Sequence, residues 1–208
     1  MSKRFLSDQA KRALTEAVQR IESHSSAEVV ISVRARSSRY LHVPVLFGVI
    51  AAFAAQAFML YSPYEFSLLA ILIDPFVTGG LVGLLVAQIP AMARWFTPRS
   101  VRRARVRRAA EATFFTGGVR LTSERTGILV YLSLTERIAC LLGDRAVVEA
   151  VPPERWQAVT DQISAVLALG GDGDAVARQL DALIPLLSPV LIRADDDVNE
   201  LPDEVDAP

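Results

Sequence analysis

The feature that most constrains this chain is a long apolar segment, from Tyr40 to Ala93, that contains neither lysine nor arginine. It includes 18 consecutive uncharged residues, from Val43 to Leu60. At about 1.5 Å per residue, a helix of that length spans about 27 Å, close to the ~30 Å hydrocarbon core of a bilayer. A buried helix of a water-soluble protein is rarely apolar on every face over such a length. We therefore expect a transmembrane helix over residues 43–61.

A second apolar stretch follows the polar turn YSPYEFS, and Asp74 lies inside it. An aspartate near the bilayer centre costs about 2.5–3.5 kcal/mol. Two placements avoid that cost. Either the span begins near Leu68 with Asp74 in its outer third, or Asp74 and Pro75 cap a span that starts at Pro75. We favour a span within residues 68–91 and an interfacial position for Asp74 over a place on an ion path.

Arginines flank the apolar segment on both sides. Arg34, Arg36 and Arg39 precede it, and the connecting turn has none. A dense group, named the basic cluster, follows it and consists of Arg99, Arg102, Arg103, Arg105, Arg107 and Arg108. Lysine and arginine collect on the cytoplasmic side of membrane proteins. The pattern therefore predicts a transmembrane hairpin in the inner (cytoplasmic) membrane, with both termini in the cytoplasm.

The basic cluster raises the question of its partner. Near an anionic bilayer each basic residue gains about 1 kcal/mol, so lipid headgroups are the partner that we favour. A nucleic acid is not expected, because the whole chain has a formal net charge of -1 and the cluster lacks interleaved aromatic residues and a recognition motif.

The remaining residues alternate between helical and strand patterns. A helix with Ser7 as N-cap precedes a strand, AEVVISVRAR, before the hairpin. After the hairpin we expect a helix over Val101 to Thr116, two strands joined by a two-residue link, and two further helices. The second of these begins after GGDGD, which we interpret as a helix stop followed by a cap.

One strand before the hairpin cannot form a sheet alone, so it must pair with strands that follow the hairpin. We predict an α/β fold, an α/β/α sandwich with a small mixed sheet, interrupted by the two-helix hairpin. A crossover of this kind makes the first two strands parallel. The first part of the domain covers residues 1–40, the hairpin 41–96 and the second part 97–192. Residues 193–208 form an acidic tail that is too poor in apolar residues to fold alone and is expected to be disordered.

Three segments carry a resemblance to a known family: RTGILVYLSLTERIACLLGDRAV, WQAVTDQI and NELPDE. The chain resembles the TPM-domain family over about residues 10–35 and 105–202, with the hairpin as an insertion found in membrane-bound bacterial relatives. The most specific piece runs from Thr126-Gly127 through two strands to Gly143-Asp144-Arg145. The resemblance implies an α/β/α sandwich and, for some plant members, acid phosphatase activity and calcium binding. This chain has Thr126 where many relatives carry an acidic residue or asparagine, and ACLL where relatives often carry glutamate in the third strand.

Four acidic residues are candidates for a metal site at the strand ends: Glu28, Glu124, Asp144 and Asp161. Glu28 and Asp144 are also the candidate catalytic groups, because phosphoryl transfer needs a nucleophile or a metal-activated water. Arg125 and Arg145 could stabilise an anion. The ion that the resemblance implies is calcium. No run of ligands matches a known calcium loop, so solvated loop charges and helix caps are the simpler interpretation of these residues.

Two functions follow from this reading, and whether the protein is an enzyme stays open. The first, which we favour, is a non-catalytic interaction or assembly module that is anchored in the membrane and holds a partner protein or a second copy at the cytoplasmic face. The alternative is a metal-assisted phosphatase tethered to the membrane.

Overall fold

A computed structural model describes residues 5–193, 200, 201 and 205–207 of the chain. The chain divides into two compact units. The α/β unit comprises the described parts of residues 1–38 and 103–208, and the hairpin unit comprises residues 39–102. The boundaries expected from the sequence were 40/41 and 96/97.

The α/β unit contains one helix and one strand before the hairpin unit and all its other elements after it. The elements are α1 (Asp8–His24), β1 (Glu28–Arg34), α5 (Arg99–Thr116, which begins in the hairpin unit), a 3-10 turn (Val119–Leu121), β2 (Gly127–Ser133), β3 (Ile138–Gly143), α6 (Arg145–Ala150), α7 (Pro153–Ala168), α8 (Gly173–Leu180), a second 3-10 turn (Asp181–Leu183) and α9 (Ile184–Leu187).

The three strands form one mixed sheet in the order β1-β2-β3. β1 pairs in parallel with β2, Ile31 opposite Val130, and β2 pairs antiparallel with β3, Tyr131 opposite Cys140. The first strand therefore pairs across the inserted hairpin, as the sequence predicts. The α/β class and the small mixed sheet are confirmed.

Helices cover both faces of this sheet. One face, which includes Val29, Ile31 and Val33 of β1, shares a core with the apolar residues of α1, α7 and α8. The opposite face packs against α5 through Val106, Ala110 and Phe114. The predicted cap of α1 is confirmed, since the hydroxyl oxygen of Ser7 accepts a hydrogen bond from the amide of Ala10 at 3.1 Å.

Gly127 lies at the start of the segment that resembles the TPM-domain family, and close packing explains why it is a glycine. A Cβ atom at this position would lie 2.0 Å from the carbonyl oxygen of Val119, so only glycine allows the 3-10 turn to lie this close to the start of β2. Thr126 fixes the same corner, because its amide donates to the hydroxyl oxygen of Thr122 at 3.1 Å.

The hairpin unit contains α2 (His42–Tyr61), α3 (Leu68–Ala87) and the short α4 (Pro90–Trp95). α2 and α3 are each 20 residues long and apolar enough to cross a membrane, and most of their side chains are exposed. The hydroxyl oxygen of Ser67 caps α3 and Pro75 lies within the helix. The alternative in which Asp74 and Pro75 cap the second span is therefore wrong, and α3 ends at Ala87, four residues before the predicted limit.

Glycines bring α2 and α3 together. A Cβ atom on Gly48 would lie 2.7 Å from the carbonyl oxygen of Gly79, and one on Gly79 would lie 2.6 Å from that of Gly48. The backbones are thus in direct contact at this crossing. Such packing through small residues is typical of helix pairs in membranes.

Three local expectations differ from the structure. The link between β2 and β3 is the four-residue turn 134–137, with Arg137 at a φ of 53°, because Thr-Glu does not suit a two-residue turn. A 3-10 turn just before Pro185 divides the predicted last helix in two. The helix breaks there because proline has no amide hydrogen and cannot continue an α-helix without losing a hydrogen bond. Parts of the tail that was expected to be disordered contact β1, whereas residues 194–199, 202–204 and 208 lie outside the described residues.

Candidate functional site

Two of the predicted acidic residues lie at one end of the sheet. Glu28 starts β1 opposite Gly127, and Asp144 follows β3 and donates its amide hydrogen to the carbonyl oxygen of Gly127 at 2.8 Å. β2 lies between them, and neighbouring strands are about 4.8 Å apart, so their backbones are separated by about 10 Å. The structure therefore brings the two candidate catalytic residues to the same end of the sheet.

Asp144 acts first as a helix cap. Its Oδ1 accepts a hydrogen bond from the amide of Arg145 at 2.8 Å, at the start of α6. Its Oδ2 is buried and accepts no hydrogen bond from any described residue. The nearest cation is the guanidinium of Arg125, at 4.0 Å, and the Asp144 side chain is 12% exposed. Arg145, the other candidate anion binder, instead pairs with Glu149 along the exposed side of α6.

Glu28 is buried and binds the backbone of the tail. Its Oε2 accepts a hydrogen bond from the amide of Leu201 at 3.2 Å. Nearby, Glu200 accepts hydrogen bonds from both the amide and the hydroxyl of Ser123, which lower the pKa of its carboxyl. These contacts hold residues 200 and 201 of the tail beside the start of β1.

The other two candidate metal ligands do not complete a site with them. Asp161 lies on α7 and pairs with Arg103 at 2.7 Å, and Glu124 is exposed in the loop before β2. Within the part of the chain that the structure describes, no three His, Cys, Asp or Glu side chains are placed to hold a metal ion.

The basic cluster lies along α5, and several of its members have partners on the protein. Besides the Arg103 pair, Arg107 contacts Glu111 at 2.9 Å, and this hydrogen bond raises the pKa of the Arg107 guanidinium. Arg105 donates to the hydroxyl oxygen of Ser38 at 3.4 Å. Arg99 and Arg108 are exposed. The contact with lipid stays a prediction for the exposed members.

A polar network at the other end of the sheet has no signal in the sequence. Glu136, in the turn between β2 and β3, is only 1% exposed. It accepts hydrogen bonds from the hydroxyl of Ser133 and from the amide of Ser37, the latter at 3.2 Å. The Ser37 hydroxyl also lies 3.2 Å from the phenol oxygen of Tyr131, whose pKa is raised by burial. The network fixes the chain where it leaves β1, because a buried carboxylate needs all its partners.

Cys140 lies in a cavity of about 550 Å³ between α5, β3 and α7. Burial raises the pKa of its thiol to about 11. The side chain is therefore a neutral thiol at physiological pH and a weak nucleophile. This environment suits a side chain that packs as an apolar residue.

The outer edges of the sheet are closed in two different ways. At β3, Ser164 and Trp156 of α7 hydrogen-bond the backbone of Ala139 and Leu141, at 3.0 and 3.2 Å. At β1, the amide of Asp206 donates to the carbonyl oxygen of Ile31 at 2.9 Å, and its carbonyl oxygen accepts from the amide of Val33 at 2.8 Å. The tail thus extends the sheet by one parallel bridge.

Comparison with known proteins gives a fold and no function. No model of a known protein family matches the chain, and no curated protein matches it. Among solved structures, the chain is similar to the BA42 protein of the psychrophilic bacterium Bizionia argentinensis, determined by NMR, with 14% sequence identity. The similarity covers 100% of each chain at a TM-score of 0.61. At this identity it shows that the two share a fold.

Proposed function

We propose that this protein is a membrane-anchored module of the TPM type that binds other proteins at the cytoplasmic face of the inner membrane. The observation that supports this most is the hairpin unit, whose two apolar helices expose residues such as Phe53, Phe76 and Leu84. In water such a surface would favour aggregation, and in lipid it is the expected surface of a spanning helix pair.

The charges on either side of the helices support the orientation. Arg39 precedes α2 and the basic cluster follows α3, whereas the loop between the helices carries Glu65 and no basic residue. By the positive-inside rule the loop is then outside and both termini are cytoplasmic. The basic cluster begins close enough in sequence to the apolar helices for its exposed arginines, Arg99 and Arg108, to contact anionic headgroups.

The contacts within the α/β unit favour binding over catalysis. Glu28 holds the tail, Asp161 pairs with Arg103, and the thiol of Cys140 is kept neutral. Glu28 and Asp161 are thus occupied by contacts that stabilise the fold. An interaction module needs only an accessible surface on a stable unit, and its partner is another protein or a second copy of this chain.

One observation favours the alternative, a membrane-tethered phosphatase. Oδ2 of Asp144 is buried without a hydrogen bond within the described residues, and Arg125 lies 4.0 Å away. The described residues around it do not fit a calcium ion, because the ion takes six to eight oxygen ligands and no group of acidic side chains converges there. We therefore derive no reaction step through a metal.

Labelling in membrane vesicles tests the anchor. In a Cys140→Ala background, single cysteines replace Glu65 in the hairpin loop and Leu121 in the α/β unit, both of which are solvent-facing positions. A membrane-impermeant maleimide should label position 65 only from the periplasmic side and position 121 only from the cytoplasmic side. Labelling of both positions from one side would contradict the proposal.

A phosphatase assay separates the two functions. The detergent-purified protein is assayed on phosphomonoesters with calcium, magnesium or chelator, beside the Asp144→Asn and Glu28→Gln variants. We expect the wild-type protein and both variants to give the same background rate of phosphate release. Robust turnover that is lost in a folded Asp144→Asn variant would establish the enzyme instead. Crosslinking in native membranes then identifies the partner.

A further inference from the structure

Among the residues that the structure describes, the outer edge of β1 is closed by α1 at its start and by a short piece of the chain's own tail farther along. Near the start of β1, the amide of Val29 donates to the side chain of Glu22 at 2.9 Å, so α1 occupies this part of the edge. Over Ile31 to Val33 the tail takes over, through the two main-chain hydrogen bonds of Asp206. Exposed strand edges pair readily with other extended segments, and proteins cover them for that reason.

The tail residues fit this edge by an alternating pattern. Val205 and Ala207 pack against the core on the side of α1. Asp206 points to the other side, where its Oδ2 lies 2.6 Å from the guanidinium of Arg34 and accepts from the hydroxyl of Ser32 at 3.3 Å. Arg34 also donates to the carbonyl oxygen of Asp206 at 3.1 Å. The edge therefore recognises an extended backbone, one carboxylate and two small apolar neighbours.

We propose that the outer edge of β1 is a docking site for an extended acidic segment of a partner protein, which displaces residues 205–207. The segment runs parallel to β1, places an aspartate or glutamate on Arg34 and Ser32, and places small apolar residues on the core side. Addition of a strand to a free sheet edge is a recurring mode of peptide recognition, with affinity from the main chain and specificity from alternate side chains. The inference rests on the proposed interaction module and names its partner by chemistry.

The resident tail is easily displaced. Of the tail residues that the structure describes, Asp206 alone forms a bridge with β1. Its ion pair with Arg34 is half-exposed, with 51% of the Asp206 side chain accessible. Exposed ion pairs contribute little to stability. A longer partner segment can continue past Arg34, where the tail makes no described ladder bond. Because the tail is attached to the same chain, it competes at a high effective concentration and keeps the edge closed to weak ligands.

Peptide binding to detergent-solubilised protein tests the site. The probe is a fluorescent peptide with the sequence of residues 200–208, and a second probe keeps only an alternating Val-Asp-Val pattern. A variant without residues 205–208 should bind both probes at least about 10-fold more tightly than the full chain, because the competitor in cis is gone. Replacing the aspartate of either probe by asparagine should weaken binding by about 3-fold, the loss expected for a half-exposed ion pair.

Point variants locate the binding. In the shortened chain, Arg34→Gln should weaken binding of the probes by about 3-fold, whereas Arg36→Gln, just beyond the end of β1, is the matched control and should leave it unchanged. In the full-length chain, Asp206→Lys should open the edge by repulsion from Arg34 and restore probe binding without a truncation. This variant keeps the test valid if the shortened chain does not fold.

Hydrogen exchange provides the structural readout. The amide of Val33 faces the tail, and alternate residues of a parallel strand direct their amides to the opposite side, so that of Ser32 faces β2. Removal of residues 205–208 should speed exchange at Val33 and leave Ser32 protected, and the probe should restore protection at Val33.

The proposal would be overturned if a folded shortened chain did not bind the probes, if the full and shortened chains bound them equally, or if Arg34→Gln left binding unchanged. Exchange of tails between two copies, seen as a dimer that Asp206→Lys abolishes, would also overturn it in favour of self-association. The measurements are made in detergent, so their failure leaves the membrane topology untouched, and failure of the vesicle labelling leaves this site untouched.

Discussion

The two units of this protein contain similar apolar residues and place them in opposite ways. In the α/β unit Leu129 and Leu132 are completely buried between the sheet and its helices. In the hairpin unit leucines such as Leu69 and Leu84 are about two-thirds exposed, and the helices meet through glycine backbones. The difference teaches that the solvent decides where apolar side chains point. A unit in water hides its apolar side chains, and a pair of helices in lipid, as we propose for the hairpin unit, would display them.

A matched pair of leucine truncations gives the largest contrast. Leu132→Ala, at 0% exposure, should lower the free energy of unfolding of the α/β unit by about 2–5 kcal/mol, because it leaves a cavity in the core. Leu84→Ala, at 66% exposure, should change it by less than about 0.5 kcal/mol. Urea titration in detergent, followed by Trp156 fluorescence in a Trp95→Phe background, measures both. Equal losses would mean that Leu84 is part of a core.

Arginine substitutions test whether an exposed residue is surrounded by lipid or by water. Val77→Arg, near the middle of α3, should raise the free energy of membrane insertion by about 3–4 kcal/mol, since a central arginine is disfavoured and a valine is lost. Leu169→Arg, at the end of α7, should leave folding within about 0.5 kcal/mol because its side chain already faces water. The fraction of protein that resists carbonate extraction reports the first effect. If Val77→Arg remains fully membrane-bound, the hairpin does not span the bilayer.

The crossing of α2 and α3 tests packing by backbone contact. Gly79→Val should destabilise the helix pair by about 1–3 kcal/mol, because its side chain would overlap the carbonyl oxygen of Gly48. Gly80→Val is the control, since a Cβ atom there meets nothing within 4 Å. Unfolding by SDS, followed by Trp95 fluorescence, compares the two variants. Similar curves would show that the helices are not in close contact.

The smallest expected effect is the pH dependence of the tail. The hydrogen bond from Arg34 lowers the pKa of the Asp206 carboxyl below its ordinary value. A lowered pKa in the docked state means that docking is favoured above the free value of about 3.9 and weakens as the pH falls through the docked pKa. We expect the amide of Val33 to lose protection only below about pH 4, by well under 1 kcal/mol for a half-exposed pair. Release between pH 5 and 7 would require another titrating group.

Much of the fold could be predicted because its signals are local. The Ser7 cap, the β-branched run of β1 and the apolar stripe of α5 each act within a few residues, and each is where the sequence places it. The parallel partner of β1 followed from a counting argument, because a single strand cannot stand alone. The break before Pro185 was missed, although proline signals it, because the apolar spacing continues on both sides.

The candidate site was harder to predict because its contacts join distant parts of the chain. Ser37 and Glu136 are 99 residues apart, and Ser32 and Asp206 are 174 apart. No periodicity marks such pairs. The composition of the tail predicts disorder, and composition does not reveal that one aspartate between two small apolar residues fits the outer edge of a strand. Of the four acidic candidates, Glu28 and Asp144 lie at one end of the sheet, but their contacts with the tail and with the start of α6 depend on neighbours that only the fold supplies.

The parallel pairing of β1 with β2 has a consequence during synthesis. Roughly 90 residues separate the two strands, and a ribosome adds about 5–20 residues per second, so β1 waits for about 5–20 seconds before β2 exists. In that interval the apolar hairpin emerges while β1 has neither its neighbouring strand nor the tail on its edges. A nascent chain halted before β3 would therefore present two unpaired strand edges and an apolar pair of helices at once. If the hairpin enters the membrane as proposed, timely targeting would remove the helices from this exposed surface.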